Sequence, residues 1–487
     1  MRLRLVARVL SLVSLVVSLF MIFPMILSVI DGGVDLHAFA SSLACGLTIS
    51  FALFRAGAER TDYEELGIRE AFAVVGLSWV IATAVGALPY VLTDVLGSYT
   101  DAFFETMSGF TTTGSTVITD IEAASRPLLL WRAMTHWLGG MGIIVLSLAV
   151  LPFLGVGGME LYKAEVPGPT PEKLTPRVQQ TALFLWFVYM LLTFLETVFL
   201  MLGGVDFFDA LAHAFSTIST GGFSTKNTSV AWFGSAWVEW VITFFMVASG
   251  VNFSLHFLFL TGFWRRAGRD DEFRAYLWLF VGVTAVIAVV LWTGEFYPGP
   301  EHSVRAAAFQ VASFMTTTGF VSENYILWPY FTQFLLLLMA FIGSCAGSTG
   351  GGLKVVRLLV LGRTIRVVCG NLLHPRAVLH TRVNGVVVSP QARDGVLAFF
   401  TLYMGILTAA SLSVTVLGDD RLDVPTALSG VIASLANLGP GLGKFGGIEN
   451  YAWLPAGVKW VLCFCMLAGR LELYAVILLF LPGTWKR

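Results

Sequence analysis

Four stretches of the chain combine hydroxyls and glycine after a short apolar run. They are DAFFETMSGFTTTG (101–114), DALAHAFSTISTGG (209–222), AAAFQVASFMTTTG (306–319) and TALSGVIASLANLG (426–439). No cluster of His, Ser or carboxylates at one depth, such as an enzyme would need, is legible here. What these stretches offer is oxygen. Glycine accepts φ > 0, so successive carbonyls of a glycine-containing strand can point the same way. A ring of such carbonyls can replace the water around a cation. Small Thr and Ser side chains can hydrogen-bond behind the strand and leave its front open. One Thr-Thr-Thr-Gly on its own suits close helix packing in a membrane. Four such stretches at one phase, with Gly114, Gly221, Gly319 and Gly439 spaced 107, 98 and 120 residues apart, point to a repeated functional unit.

The rest of the chain must hold these stretches inside a bilayer. Of its 487 residues 56% are hydrophobic and 13% charged, and mean hydropathy is +0.79. Soluble domains carry about 25% charged residues. Ten spans are expected, at about 5–30, 38–55, 68–92, 127–155, 181–203, 232–262, 274–295, 330–366, 391–417 and 455–483. The basic start is followed by too long an apolar run, and no small-residue cleavage site, for a signal peptide, so it is read as the first span, with Pro24 kinking it or marking its outer end. The short runs cannot cross about 30 Å of hydrocarbon. They can enter only as half-helices whose loops are buried in protein or face water. A half-helix entering from outside points its negative C-terminal end inward, which favours a cation. The fold expected is an all-α polytopic membrane protein: two leading transmembrane helices, then four helix–pore loop–helix repeats in pseudo-fourfold arrangement around one pore. The units are 1–60 (the two N-terminal helices), 61–160, 161–265, 266–370 (with a broken second helix) and 371–487.

Of the 30 Lys and Arg, 22 fall on one face of this topology, among them Arg2, Arg4, Arg8, Arg60, Lys163, Lys173, Arg265, Arg266, Arg269 and seven from Lys354 to Arg393. The positive-inside rule puts that face, and both termini, in the cytoplasm. A net charge of -1 argues against a nucleic-acid partner. Cys45, Cys345, Cys369, Cys463 and Cys465 read as small core thiols, and His136, His213 and His256 have no metal-ligand spacing. No cluster fit for an enzyme or an organic cofactor is legible. The outer acids Asp101, Glu105, Asp120, Glu122, Asp209, Glu301 and Glu323 read mostly as solvated loop charges that could also concentrate cations at the mouth.

Two features lie deeper. The eighth span would run about 37 residues, and GSCAGSTGGG (343–352) interrupts it with five glycines, each costing about 1 kcal/mol in a helix. A flexible break is expected there, or else a kinked helix in close packing. It is no nucleotide P-loop, because Lys is not followed by Ser or Thr and a membrane helix precedes it. Arg470 sits mid-span and must face water or the bundle interior. It is either a barrier on a cation path or the partner of Glu472 or Glu196. The largest basic loop, 363–395, contains TRVNGVVVS, an Asn-Gly hairpin signal.

SGFTTTGST, STISTGGFS, MTTTGF, ANLGPGLG, GSTGGGLKVVR and AGRLEL together resemble the Trk/Ktr/HKT superfamily of potassium transporters, most closely its bacterial TrkH type, over nearly the whole length. The resemblance implies one potassium filter within a single chain. It is formed by Thr112, Thr113 and Gly114; Ser219, Thr220 and Gly221; Thr317, Thr318 and Gly319; and Asn437, Leu438 and Gly439. All four glycines favour potassium over sodium, and the fourth loop departs most from the pattern. The resemblance further implies an intramembrane gate of Gly347, Ser348, Thr349, Gly350, Gly351, Gly352 and Lys354 with Arg470. It implies a homodimer in the lipid of the bacterial inner membrane, and a separate cytoplasmic nucleotide-binding regulatory subunit of the TrkA kind. The function expected is gated, channel-like potassium uptake. The alternative is a secondary transporter coupling potassium to protons or sodium, for which Glu196 is the single candidate acid.

Overall fold

A computed structural model of the chain describes residues 2–57, 68–154, 174–419 and 422–485. The unit boundaries at 60/61 and 160/161, and Arg60, Lys163, Lys173, Arg421, Lys486 and Arg487, lie outside the described residues. The chain opens with α1 (Leu3–Phe20), α2 (Ile22–Ile30) and α3 (Leu36–Ala56). Pro24 has no N–H for the Phe20 carbonyl, and α1 gives way to α2 at Met21, so the expected kink is present.

The order long helix, short helix, loop, long helix then recurs four times. The first set is α4 (Ile68–Gly86) with α5 (Leu88–Leu92), α6 (Tyr99–Phe110) and α7 (Arg126–Leu154). The second is α8 (Leu174–Leu202), α9 (Phe207–Ile218), α10 (Ala236–Ser249) and α11 (Phe253–Leu260), followed by α12 (Trp264–Ala267). The third is α13 (Asp271–Thr293), α14 (Pro300–Met315), α15 (Tyr330–Ile342) and α16 (Val355–Leu373). After β1 (Arg382–Val383) and β2 (Val386–Val387) come α17 (Pro390–Gly418), α18 (Val424–Leu435), α19 (Ala456–Arg470), α20 (Tyr474–Phe480) and α21 (Pro482–Trp485). Helix starts are chemically marked. The side chains of Ser98, Asp206 and Asp270 accept N–H bonds at the starts of α6, α9 and α13, and proline opens α14, α17 and α18.

Burial is graded from the middle outwards. Every residue from Ala102 to Phe110 in α6, and from Ala306 to Met315 in α14, is buried. The long helices instead leave large apolar side chains uncovered, such as Phe194, Phe244, Trp278 and Leu412. That is the pattern of a bundle solvated by hydrocarbon. Six described helices are long and apolar enough to cross a membrane, or seven if the bent pair α10–α11 counts as one.

Two second helices differ from the continuous spans expected of them. The span at 232–262 bends by 102° between α10 and α11, where Asn252 breaks the run and caps α11 through its side chain. The span at 455–483 breaks between Arg470 and Tyr474, where Glu472 and Leu473 both take positive φ. The third, at 330–366, breaks as expected, with residues 343–354 between α15 and α16. All three breaks come about fourteen residues into the helix. The hairpin also forms as expected, Arg382 facing Val387 and Val383 facing Val386 across a turn with Asn384 at φ 52° and Gly385 at 77°.

Candidate functional site

Each short helix ends in the same way. The cap residues Thr111, Ser219, Thr316 and Ala436 are followed by Thr112, Thr220, Thr317 and Asn437, all left-handed at φ 52–58°. The next N–H closes a six-residue bond: Thr113 to the Ser108 carbonyl, Gly221 to Ser216, Thr318 to Ser313 and Leu438 to Ala433, at 2.7–2.9 Å. This is a Schellman ending, with Thr or Asn where glycine is usual. A left-handed non-glycine residue costs on the order of 1–2 kcal/mol. Four equivalent ones mark a backbone shape imposed by its surroundings.

The following residue has positive φ again: Gly114 (86°), Gly222 (79°), Gly319 (85°) and Gly439 (92°). The second loop is therefore one residue later than the sequence motif suggests. Gly222 is the counterpart of Gly114, Gly319 and Gly439, while Gly221 matches Thr113, Thr318 and Leu438, and Ser219 matches the cap residue Thr111. Ser-Thr-Gly-Gly offers two glycines in a row, and only the helix end fixes which is which. Each glycine is required for its own reason. A Cβ on Gly222 would run into the Thr318 carbonyl oxygen, whereas one on Gly221 would run into the His136 ring.

These glycines also reveal how the loops meet. A Cβ on Gly114 would strike the Gly221 carbonyl, one on Gly222 the Thr318 carbonyl, one on Gly319 the Leu438 carbonyl, and one on Gly439 the Thr113 carbonyl. Each strand backs onto the next and the fourth onto the first, so the ring closes. A cavity of about 90 Å³ with Gly114, Gly222, Gly319 and Gly439 in its lining opens beside it. The hydroxyls turn aside from that lining: Thr111 pairs with Thr113 (2.8 Å) and Thr316 with Thr318 (2.7 Å). Asn437 joins the fourth loop to the first, its amide donating to Thr113 Oγ1 (3.1 Å) and to the Met466 carbonyl (2.8 Å).

Behind the ring, the side chain six residues before the cap braces the returning strand in three of the four loops. Glu105 accepts from the Val117 N–H (2.8 Å), the Thr116 hydroxyl (3.0 Å) and Arg132 Nε (2.7 Å). Its counterpart His213 donates from Nδ1 to the Asp209 carbonyl (2.7 Å), leaving Nε2 to accept from Ser224 (2.9 Å). Gln310 donates to the Glu323 carbonyl (3.4 Å), and at Gly430 the Phe445 ring fills the place of a side chain. The sequence offers no sign of this position, because its four occupants share no chemistry. Other outer acids are also paired: Asp101 with Lys459 (2.6 Å), Asp209 with Lys226 (3.1 Å), Glu301 and Glu239 with Arg305, and Glu323 with His302. Asp120 accepts from the Asn227 amide, which holds its carboxyl below the usual range. Of the outer acids, Asp120, Glu122 and Glu301 remain exposed to solvent, whereas Glu105 is fully buried. Lys459, Lys226 and Arg305 each have a carboxylate partner on this side.

Residues 343–354 lie directly under the ring. The Thr349 hydroxyl donates to the Ile218 carbonyl (3.0 Å), the Gly351 N–H donates to Thr317 Oγ1 (2.7 Å), and Gly350 and Gly351 back onto the Thr316 and Ala436 carbonyls. The segment thus meets the ends of α9, α14 and α18. Ser348 bonds the Cys345 carbonyl (2.6 Å), Gly347 lies against Asn252, Lys354 Nζ donates to the Gly350 carbonyl, and Gly352 turns at φ 74°. Arg470, 4% exposed, donates to the Thr349 carbonyl (2.6 Å) and to the Gly139 carbonyl (3.2 Å). Neither Glu472 nor Glu196 is its partner: Glu472 pairs with Arg357. Glu196 is fully buried near Thr217, whose hydroxyl donates to the His213 carbonyl, and neither carboxyl oxygen has a hydrogen-bond partner among the described residues.

Residues 42–485 match the family model described as TrkH, cation transport protein. The chain is 38% identical to the Trk system potassium uptake protein TrkH of Salmonella typhimurium and 39% identical to that of Halomonas elongata, covering all of both chains in each case. It is 36% identical to the TrkG protein of Escherichia coli over 87% of its own length and 86% of that protein. Its fold superimposes on the crystal structure of the potassium transporter TrkH from Vibrio parahaemolyticus with a TM-score of 0.92 and 36% identity, over the whole of both chains.

Proposed function

Because the chain belongs to the TrkH family of cation transport proteins, we propose that it takes up potassium through a central pore whose filter is the closed ring of four loops. The observation that carries this is the ring itself. The carbonyls of Thr113, Gly221, Thr318 and Leu438 each lie against the glycine of a neighbouring loop. Four helix C-termini converge there and supply partial negative charge for a dehydrated cation. The filter residues are Thr112, Thr113 and Gly114; Thr220, Gly221 and Gly222; Thr317, Thr318 and Gly319; and Asn437, Leu438 and Gly439, with Ser219 as a cap behind them. The units 61–160, 161–265, 266–370 and 371–487 then surround the pore with pseudo-fourfold symmetry, and 1–60 stands outside them. The protein is a multi-pass component of the bacterial inner membrane, its basic face and both termini on the cytoplasmic side.

Residues 343–354 and Arg470 form the gate, since they occupy the space under the ring where a cation leaving the filter must pass. A homodimer bearing a separate cytoplasmic nucleotide-binding subunit supplies the regulation. The test is flux into liposomes of purified chain with potassium against sodium: potassium selectivity is expected, and equal fluxes would remove the filter assignment. The second reading, coupling to protons, is favoured by Glu196, whose buried carboxyl has no hydrogen-bond partner among the described residues. It requires that Glu196→Gln abolish any dependence of potassium flux on a proton gradient.

A further inference from the structure

We propose that Glu272 is the positioning residue of the closed 343–354 segment, and that the β1–β2 hairpin is the handle that sets it; this rests on that segment being the gate. Glu272 stands in the first turn of α13 and is 8% exposed. Its Oε1 accepts the Ala346 N–H (2.7 Å) and the Val356 N–H (3.0 Å). Ala346 lies in the first third of the segment, and Val356 lies in the first turn of α16, which follows it. One carboxyl oxygen therefore ties the segment to the start of the helix that follows it.

The two residues before Glu272 hold the hairpin. The Asp271 N–H donates to Asn384 Oδ1 (2.7 Å), and the Asn384 N–H donates back to Asp271 Oδ2 (2.9 Å). The Asn384 amide donates to Asp270 Oδ2 (2.8 Å). Arg363 of α16 bridges Asp271 (2.8 Å) and the Arg382 carbonyl (2.6 Å). Beneath these bonds Val383 of the hairpin packs in one apolar cluster with Val356 and Val360 of α16. From the opposite side, the break between α10 and α11 clasps the same segment: Cys345 N–H to the Gly250 carbonyl (3.0 Å), and Phe253 N–H to the Gly347 carbonyl (3.1 Å). Ala346 lies between those two clasps. A shift of the hairpin draws on Asp270 and Asp271, and so on Glu272, and it also reaches Ala346 through the apolar cluster that Val383 shares with it.

The test is potassium and sodium flux into liposomes holding equal amounts of folded full-length chain. Four variants are needed: Glu272→Gln, Asn384→Ala, the two combined, and Gly351→Ala as the control on the gate. Replacing the carboxylate by a neutral amide keeps the acceptor oxygen but weakens two charge-assisted bonds, which shifts the closed segment by roughly tenfold. Glu272→Gln is therefore expected to raise potassium flux by about that factor, with the potassium-to-sodium ratio unchanged. Asn384→Ala is expected to raise it less, and the double variant no more than Glu272→Gln alone, because both act on one element. A merely structural role would lower stability and leave flux per folded molecule unmoved. Unchanged flux in Glu272→Gln, or effects that multiply in the double variant, overturns the proposal while Gly351→Ala still raises flux. Should Glu272→Gln not fold, unchanged flux in Asn384→Ala overturns it. If Gly351→Ala also leaves flux unchanged, the gate assignment and the proposal fall together.

Discussion

Arg132 and Glu105 form an ion pair of 2.7 Å with no more than 3% of either side chain exposed, immediately behind the ring of loops. The pair links two loops at once. Glu105 holds Thr116 and Val117 after the first, while Arg132 donates to the Ser224 carbonyl (2.8 Å) and covers the Phe223 ring at 3.5 Å after the second. Removing one member of a buried pair strands the other charge, at a cost of about 3–5 kcal/mol. Glu105→Ala and Arg132→Ala are each expected to lower the thermal unfolding temperature in detergent sharply. Glu105→Gln with Arg132→Met, which leaves no lone charge, should recover most of it. Single variants as stable as the parent would exclude this pair as the brace.

The two adjacent glycines of the second loop make opposite demands on rescue. A Cβ on Gly221 meets a side chain, His136, which can be trimmed; a Cβ on Gly222 meets backbone, the Thr318 carbonyl, which cannot. Overpacking of this kind costs typically about 1–3 kcal/mol. Potassium flux lost in Gly221→Ala should therefore return when His136→Ala is added. Flux or selectivity lost in Gly222→Ala should return with neither change. Measured permeability ratios decide the register: rescue of Gly222→Ala by His136→Ala would restore Gly221 as the filter glycine.

The gate glycines separate rate from selectivity. A Cβ on Gly351 would enter the Ala436 carbonyl, so Gly351→Ala cannot seat the segment under the ring as it stands. Flux is expected to rise while the potassium-to-sodium ratio stays fixed, because in the proposed function the segment gates the filter and does not build it. A changed ratio at normal flux would make Gly351 part of the coordinating ring.

How much of this was legible depends on whether position or chemistry carried the signal. The four glycine-ended stretches could be read because glycine, Thr and Ser recur at one phase, and the break at 343–352 because five glycines cluster there. The register of the second loop could not, since Gly221 and Gly222 are equivalent until the end of α9 is known. The bracing position was hidden because Glu105, His213, Gln310 and Gly430 resemble one another only in distance from a helix end. The break after Arg470 was hidden because Leu471, Glu472 and Leu473 carry no glycine or proline, yet two of them adopt positive φ. There the tertiary structure overrules local preference, with Glu472 turned to Arg357 and not to Arg470.

Arg470 gives the sharpest test of the gate. Its guanidinium binds the Thr349 carbonyl of the segment and the Gly139 carbonyl of α7, beneath the convergent C-termini of the short helices. Its positive charge thus stands where those dipoles would otherwise favour a passing cation. Two unit charges 4 Å apart at an effective dielectric of 20 repel by about 4 kcal/mol, enough to slow passage by orders of magnitude. Arg470→Ala removes both the charge and the tie to Thr349, so potassium flux per folded molecule should rise strongly. Arg470→Lys keeps the charge but loses the planar fork that reaches two carbonyls at once, so flux should rise less. If Arg470 serves packing alone, both variants lose thermal stability and flux per folded molecule stays level. Measuring unfolding temperature and flux on one purified sample separates these outcomes, and a stable Arg470→Ala with parental flux would remove Arg470 from the pathway altogether.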